Sequence, residues 1–404
     1  MAALRIAIVA GESSGDTLGA ALIEALRALV PDIEFTGVAG PQMRAAGCHA
    51  LLEAEQLSVI GLVEVLPHLP RLLRLRARLA DDIASLRPDV FIGVDYQQFN
   101  LGLALRLKRL GITTVQYVSP QVWAWRQGRV RTMVRAYDLV LCLLPFEPAF
   151  YSAHALNALF VGHPLADQIP LQSDRGAARA SLGLAAQDTV LALLPGSREA
   201  EVRRLSKPFL GAARLLAQRR PGLKIVAPMA GPLVRAQFEH ALQQHAPRPD
   251  VQVLDGQART ALSAADVALV ASGTATLEAL LCRCPMVVAY RVGALSALLA
   301  RGLGFTGLPY FSLPNLLASE PLVPEFSQQA VEPEGLARAL EHSLDDAARR
   351  AYLQRRFELI HESLRQNGAA LAASAVLQLL RARSGVGVER ESQRESGGNG
   401  GHGH

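Results

Sequence analysis

Leu4-Arg5-Ile6-Ala7-Ile8-Val9-Ala10-Gly11-Glu12-Ser13-Ser14-Gly15-Asp16 opens with a short apolar run, Leu4–Ala10, that ends in Gly11 and is followed by a helical pattern from Thr17 to Leu29. An apolar run, a small-residue turn and a helix make the first half of a strand–helix–strand unit. Asp89–Val94, Thr113–Val118 and Leu139–Leu144 repeat the theme, with helical stretches between them. Such alternation implies a parallel sheet covered on both faces. Gly162 to Asp174 is rich in proline, polar and small residues and reads as a linker, after which the alternation restarts. Val190–Leu194, Lys224–Pro228, Val251–Leu254, Val267–Ala271 and Met286–Ala289 are five further strand candidates. The expected fold is α/β, with two doubly wound Rossmann-like domains facing a cleft. The expected boundaries are 1–165, 175–350, C-terminal helices over 351–383, exchanged or packed back, and a disordered tail over 384–404.

The 404 residues, half of them apolar, exceed one simple core; length over ~150 gives two or three domains. The net charge is +5, and lysine occurs only at Lys108, Lys207 and Lys224, so the basic residues are nearly all arginine. Arginine forks bind phosphate and carboxylate as lysine cannot. High apolar content with modest charge excludes general disorder. Cys48, Cys142, Cys282 and Cys284 show no disulfide or zinc spacing, and buried thiols are the expectation. No apolar run reaches the roughly 18 residues of a membrane span and no signal peptide follows Met1, so a soluble cytosolic protein is expected. Nucleic acid is a poor partner, because the basic residues are not interleaved with aromatics and no reader motif is present.

Five turns carry candidate chemistry. At Gly11–Asp16 a strand enters a helix, a place that favours an anion or polar ligand. No Walker lysine follows, and Glu12 and Asp16 would repel a pyrophosphate, so the carboxylates suit sugar hydroxyls better; plain helix capping by Ser13 or Asp16 is the bland alternative. Asp95 emerges at the carboxyl end of a buried strand, where a carboxylate can act as general base on a substrate hydroxyl; the alternative is a helix N-cap, a role Asn100 fills better. Ser119–Arg126 holds both tryptophans, Trp123 and Trp125, with sugar-stacking and core readings equally weighted. Gly196-Ser197-Arg198 combines a glycine turn, a helix mouth and a guanidinium, which converge on a phosphate. Ser272-Gly273-Thr274 is a second such turn, with Glu278 one helical turn further on to accept from a ribose diol. The pair suggests a nucleotide diphosphate. No Asp-x-Asp motif or His/Cys cluster has metal spacing, and arginine with helix ends can neutralise a leaving diphosphate without metal.

Val63 to Leu79 is basic and greasy. At about 100° per residue, Leu69, Leu72, Leu73, Leu75 and Leu79 span an arc of roughly 160°. Arg71, Arg74 and Arg78 fall opposite it and Arg76 inside it. A membrane interface and an ordinary core helix with a basic outer face are nearly level from composition.

Val9–Asp16, Gly37–Pro41, Tyr117–Arg126, Leu194–Arg198, Ala271–Thr274 and Ser312-Leu313-Pro314-Asn315 occur in one order. Together they resemble the lipid-A-disaccharide synthase family, from Leu4 to roughly Leu380. The resemblance implies a GT-B glycosyltransferase that joins UDP-2,3-diacylglucosamine to 2,3-diacylglucosamine 1-phosphate. The products are a β(1→6) disaccharide 1-phosphate and UDP, formed with inversion and with no metal or cofactor. It also implies a homodimer, attached peripherally to the cytoplasmic face of the inner membrane. Carried onto matching positions, Asp95 is the general base, Arg198 the arginine at the diphosphate, and Glu12 a residue near the reacting sugars. Ser14, Asp16, Trp125 and Asn315 are expected to contact substrate. Gly196, Ser197, Arg198, Ser272, Gly273, Thr274 and Glu278 are expected to hold UDP. Acyl chains need apolar cover, which favours a membrane and acyl surface made by Val63, Val65, Leu66, Leu69, Leu72 and Leu73 with Arg71 and Arg74. Tyr96-Gln97-Gln98 departs from the family's common Ala-Pro-Asp run, which puts a second carboxylate after Asp95 in doubt. Sugar-nucleotide epimerases of similar architecture, lipid-binding proteins and nicotinamide oxidoreductases are the competing classes.

Overall fold

The computed structural model describes residues 3–54, 57, 65–124, 127–293 and 309–396, with backbone only over 65–69 and 384–396. The chain divides into two compact units, Met1–Pro164 with Gln366–His404, and Leu165–Arg365.

The first unit is built on a seven-stranded parallel sheet: β1 (Leu4–Ala10), β2 (Ile33–Ala39), β3 (Cys48–Glu53), β4 (Val90–Val94), β5 (Thr113–Tyr117), β6 (Leu139–Cys142) and β7 (Ala158–Phe160). Their order is β3-β2-β1-β4-β5-β6-β7. Strands β4, β5 and β6 are buried throughout, as continuous apolar runs require when helices cover both faces. On one face the helix Ser13–Leu29 buries Gly19, Leu22, Ile23 and Leu26 at helical spacing. The helix Gly368–Ser396 packs beside it, placing Ala372, Ala373, Val376 and Leu377 in the same core. On the other face Leu79, Ile83, Phe99, Leu103 and Leu107 join a second core, from the helices Val65–Ser85 and Gln97–Arg109.

The second unit holds β8 (Val190–Leu194), β9 (Lys224–Met229), β10 (Gln252–Asp255), β11 (Val267–Ala271), β12 (Met286–Tyr290) and β13 (Glu325–Ser327). They form a six-stranded parallel sheet in the order β10-β9-β8-β11-β12-β13. Each sheet therefore reverses its strand order once, between β1 and β4 and between β8 and β11. Open parallel sheets bind ligands at the carboxyl ends of the strands flanking such a reversal.

Several details differ from the sequence reading. Strands β2, β3, β7 and β13 are absent from it: Glu34 and Gly37 interrupt the first, the second alternates as an edge strand does, and the last two are only three residues long. The linker contains a short helix, Pro164–Gln168. The stretch 351–383 is divided between the units. The helix Ala347–Leu364 buries Leu353, Phe357 and Leu364 in the second, whereas Gly368–Ser396 belongs to the first. The expected disordered tail is helical as far as Ser396, where Glu389 to Glu395 are good helix formers; residues 397–404 lie outside the described residues. All four cysteines are buried free thiols, burial pushing Cys282 up to about 11.

Candidate active site

In the first sheet β1 and β4 lie side by side, with Ala10 opposite Val94, so Gly11 and Asp95 leave the sheet together at its reversal point. Asp95 and Tyr96 both have left-handed backbone, at φ 49° and 36°. Two successive non-glycine residues there cost about 1–3 kcal/mol each unless the surroundings hold them. Here the surroundings do. The Asp95 N–H donates to the Tyr117 carbonyl at 2.9 Å, and its carbonyl accepts from Asn100 Nδ2 and Gln116 Nε2, both at 3.0 Å. Asn100 and Gln116 are fully buried. A side chain at Gly93 would collide with both, which accounts for glycine there. Asn100 is thus not the expected helix cap: the helix starts earlier, at Gln97, and its amide braces the strained turn.

The Asp95 carboxylate accepts from the Ser14 hydroxyl at 3.4 Å. Burial pushes its pKa above the ordinary carboxylate value, with Ser14 and the Tyr96 N–H pulling the other way. A raised carboxylate is a stronger proton acceptor. The Tyr96 ring occupies the space that a side chain at Gly11 would need. Burial, with the Glu12 charge added, holds its phenol above its usual pKa. Glu12 itself is exposed at the N-cap position of Ser13–Leu29.

Asp16, expected to contact substrate, does something else. It is 3% exposed, and its two oxygens accept from the backbone N–H groups of Gly40, Gln42 and Met43 at 2.8–3.0 Å. The carboxylate holds the N-terminus of the short helix Pro41–Ala45 that follows β2, instead of facing solvent. Trp123 is likewise internal: its indole donates to Glu147 Oε1 at 2.9 Å and its ring meets the Phe146 edge. Glu147 also accepts from the Leu144 N–H, and burial raises its carboxyl to about 7. Trp125 lies outside the described residues.

In the second sheet the turns after β8 and β11 flank the reversal point, with Leu194 opposite Val270. Gly196, Ser197, Arg198, Ser272, Gly273, Thr274 and Glu278 all line one cavity of about 280 Å3 within this unit. That is near the lower end for small-molecule sites. The Arg198 side chain is 83% exposed and loosely tied to Glu201. Thr274 opens the helix Thr274–Leu281, whose N-cap Gly273 makes no side-chain cap bond. Glu278 faces Arg259 at 3.5 Å. The Ser272 hydroxyl is committed to the Phe311 carbonyl, so this residue lines the cavity with less to offer than expected. Asn315, expected to contact substrate, is 1% exposed, and its amide bonds to both main-chain groups of Val323 and to Glu325. Like Asp16 it is a buried brace. Glu201 escaped the sequence reading, although its place three residues into the helix that follows Arg198 is a capping-box spacing.

The greasy helix is sorted by the fold. Leu79 is buried, Leu72 and Leu75 pack partly against the core, and Leu73 is 43% exposed. Leu72 therefore belongs to the inner face rather than to a membrane surface. Arg71, Arg74 and Arg78 are exposed, whereas Arg76 lies half-buried across Gly102, where burial lowers its pKa. Val63 lies outside the described residues, and so do the side chains of Val65, Leu66 and Leu69. Among the described residues no helix is long and apolar enough to cross a membrane.

Comparison with known proteins converges on one family. The sequence model described as Lipid-A-disaccharide synthetase matches residues 6–379. Lipid-A-disaccharide synthase of Sodalis glossinidius is 53% identical over 377 residues, covering 93% of this chain and 98% of the relative. Among solved structures, UDP-GlcNAc 2-epimerase from Neisseria meningitidis, bound to UDP-GlcNAc, superposes with TM-score 0.61 at 12% identity, covering 94% of this chain and 100% of that one. Anabaena HepE, in complex with UDP and glucose, gives 0.54 at 12% identity, covering 93% and 99%. The two structural likenesses bear on the fold, which is GT-B. The family match and the end-to-end identity bear on the activity: this chain belongs to the lipid-A-disaccharide synthase family of glycosyltransferases.

Proposed function

We propose that the chain condenses UDP-2,3-diacylglucosamine with 2,3-diacylglucosamine 1-phosphate, releasing UDP and a β(1→6) disaccharide 1-phosphate with inversion. Asp95 is the general base. The observation that carries this role is the strained, amide-braced turn that presents a partly desolvated carboxylate at the sheet's reversal point. Asp95 takes the proton of the acceptor 6-hydroxyl as its oxygen attacks the anomeric carbon, and the bond to UDP breaks on the opposite face. Ser14 orients the carboxylate, and Glu12 offers acceptor oxygens to sugar hydroxyls. In the second unit Arg198 and the helix mouth at Gly273–Thr274 take up charge developing on the diphosphate, and Glu278 accepts from the ribose. This arrangement supports turnover without a metal.

The test is to mix the two acylated sugars with purified protein, with and without EDTA, and to measure UDP and disaccharide. Asp95→Asn is expected to slow turnover by about 10²–10⁴, and Arg198→Ala by about 10²–10³. No product from the unaltered protein would sink the reading, and product lost only with EDTA would sink its metal-free part.

We further propose peripheral attachment to the cytoplasmic face of the inner membrane. Support comes from Leu73 and the exposed arginines Arg71, Arg74 and Arg78 on one helix, a combination that suits anionic lipid. We also propose a homodimer, as the resemblance to the family implies, and sedimentation equilibrium would measure it.

A further inference from the structure

The turn after β8 already holds an anion, and that anion belongs to the protein. Glu201 Oε2 accepts from the Ser197 N–H at 3.1 Å and from the Arg198 N–H at 3.4 Å, while Oε1 lies 3.5 Å from the Arg198 guanidinium. Gly196 sits beneath it in left-handed backbone, at φ 131°. A Cβ on Gly196 would fall 2.5 Å from Glu201 Cβ and 2.6 Å from Oε2, so the glycine makes room for this carboxylate. Glu201 lines the same cavity as Thr274 and Glu278. The other helix mouth in that cavity has Gly273 at its N-cap position, a residue with no side chain to compete for the helix N–H groups.

We propose that Glu201 is a built-in competitor for the nucleotide diphosphate, occupying the turn's N–H groups until a phosphate displaces it and so weakening the hold on UDP. The inference rests on the reading of this cavity as the UDP site. Carboxylate and phosphate are alternatives for one seat: both are anionic acceptors, and the N–H groups at the start of a helix favour either. Arg198, whose guanidinium is held by a long contact to Glu201 and lies largely in solvent, follows whichever anion is seated. The consequence for turnover is release. A product whose strongest backbone donors are contested leaves sooner than one that holds them all.

The experiment is calorimetric titration of the full-length protein with UDP, comparing the unaltered chain with Glu201→Gln and Glu201→Ala. Thermal melts establish that each variant is folded. Removal of the competing charge is expected to tighten UDP binding, by about tenfold for alanine and less for glutamine. Turnover would then become more sensitive to inhibition by added UDP. A carboxylate that merely caps the helix predicts a lower melting temperature with unchanged UDP affinity, and that result overturns the proposal. Weaker UDP binding in both variants also overturns it, because Glu201 would then be a nucleotide ligand. If the unaltered protein binds no UDP, the reading of the cavity fails first and takes the proposal with it.

Discussion

Asp95 sits in backbone that its residue type rarely adopts, and its pH behaviour follows from what surrounds it. Burial favours the protonated acid, so ionisation of the base is shifted upward relative to the ordinary carboxylate range. The rate constant kcat/KM is therefore expected to rise with pH through a limb displaced upward from that range. Ser14→Ala removes a bond that favours the ionised form and should move the limb higher still; a limb that stays put or moves down would count against Asp95 as base. Glu147 gives a separate signature in stability. Its folded pKa, about 7, lies above its ordinary 4.5. The group thus favours folding fully below pH 4.5, and this contribution is lost as pH rises to about 7, by ~3 kcal/mol. Glu147→Gln has no such titration, so the difference in Tm between it and the unaltered chain should change across that window and be flat above it. Asp95 was legible because a lone carboxylate closes an apolar strand. Asp16 and Asn315 were legible as polar residues in family motifs, but not as the buried braces that the fold makes of them. Their partners, at Gly40 to Met43 and at Val323 and Glu325, come from separate segments that no local pattern identifies.

The helix Val65–Ser85 shows how far an element can be read before its neighbours are known. The leucine arc was visible at 100° per residue, and so was the arginine face opposite it. Which leucines the rest of the unit would claim was not visible. The core takes Leu79 and part of Leu72 and Leu75, Gly102 gives Arg76 a place to lie, and Leu73 is left in solvent. Two substitutions separate these fates. Leu79→Ala empties a buried position and is expected to cost about 2–5 kcal/mol of stability, seen in denaturant unfolding. Leu73→Ser should leave unfolding within about 0.5 kcal/mol of the unaltered chain yet reduce co-sedimentation with anionic phospholipid vesicles. Unchanged co-sedimentation would remove Leu73 from the membrane surface.

At the scale of the whole molecule, the restarted alternation made two doubly wound sheets legible, but not the path of the last helix. Helical periodicity marks Gly368 onward as a helix, yet it carries no address for the core that receives it. The core that does so is that of the first unit, assembled from sequence more than 200 residues earlier. Ala372, Ala373, Val376 and Leu377 are small or apolar enough to lie against Ser13–Leu29, and Arg383 reaches Asp138 at 2.6 Å and Thr113 at 3.1 Å. The first unit is thus closed by the end of the chain, while the second is continuous from Leu165 to Arg365. A chain stopped after Arg365 should lose the two activities unequally. Exposure of the core beside Ser13–Leu29 destabilises the sheet that presents Asp95, so disaccharide formation and the cooperative unfolding of that unit should both fail. UDP titration should persist, because every residue lining the cavity between Leu194 and Glu278 remains within an intact unit. Equal loss of UDP binding would mean that the second unit depends on the first for its fold. Full retention of turnover would mean that the buried side chains of that helix contribute less than the about 25 cal/mol per Å2 that apolar burial ordinarily supplies.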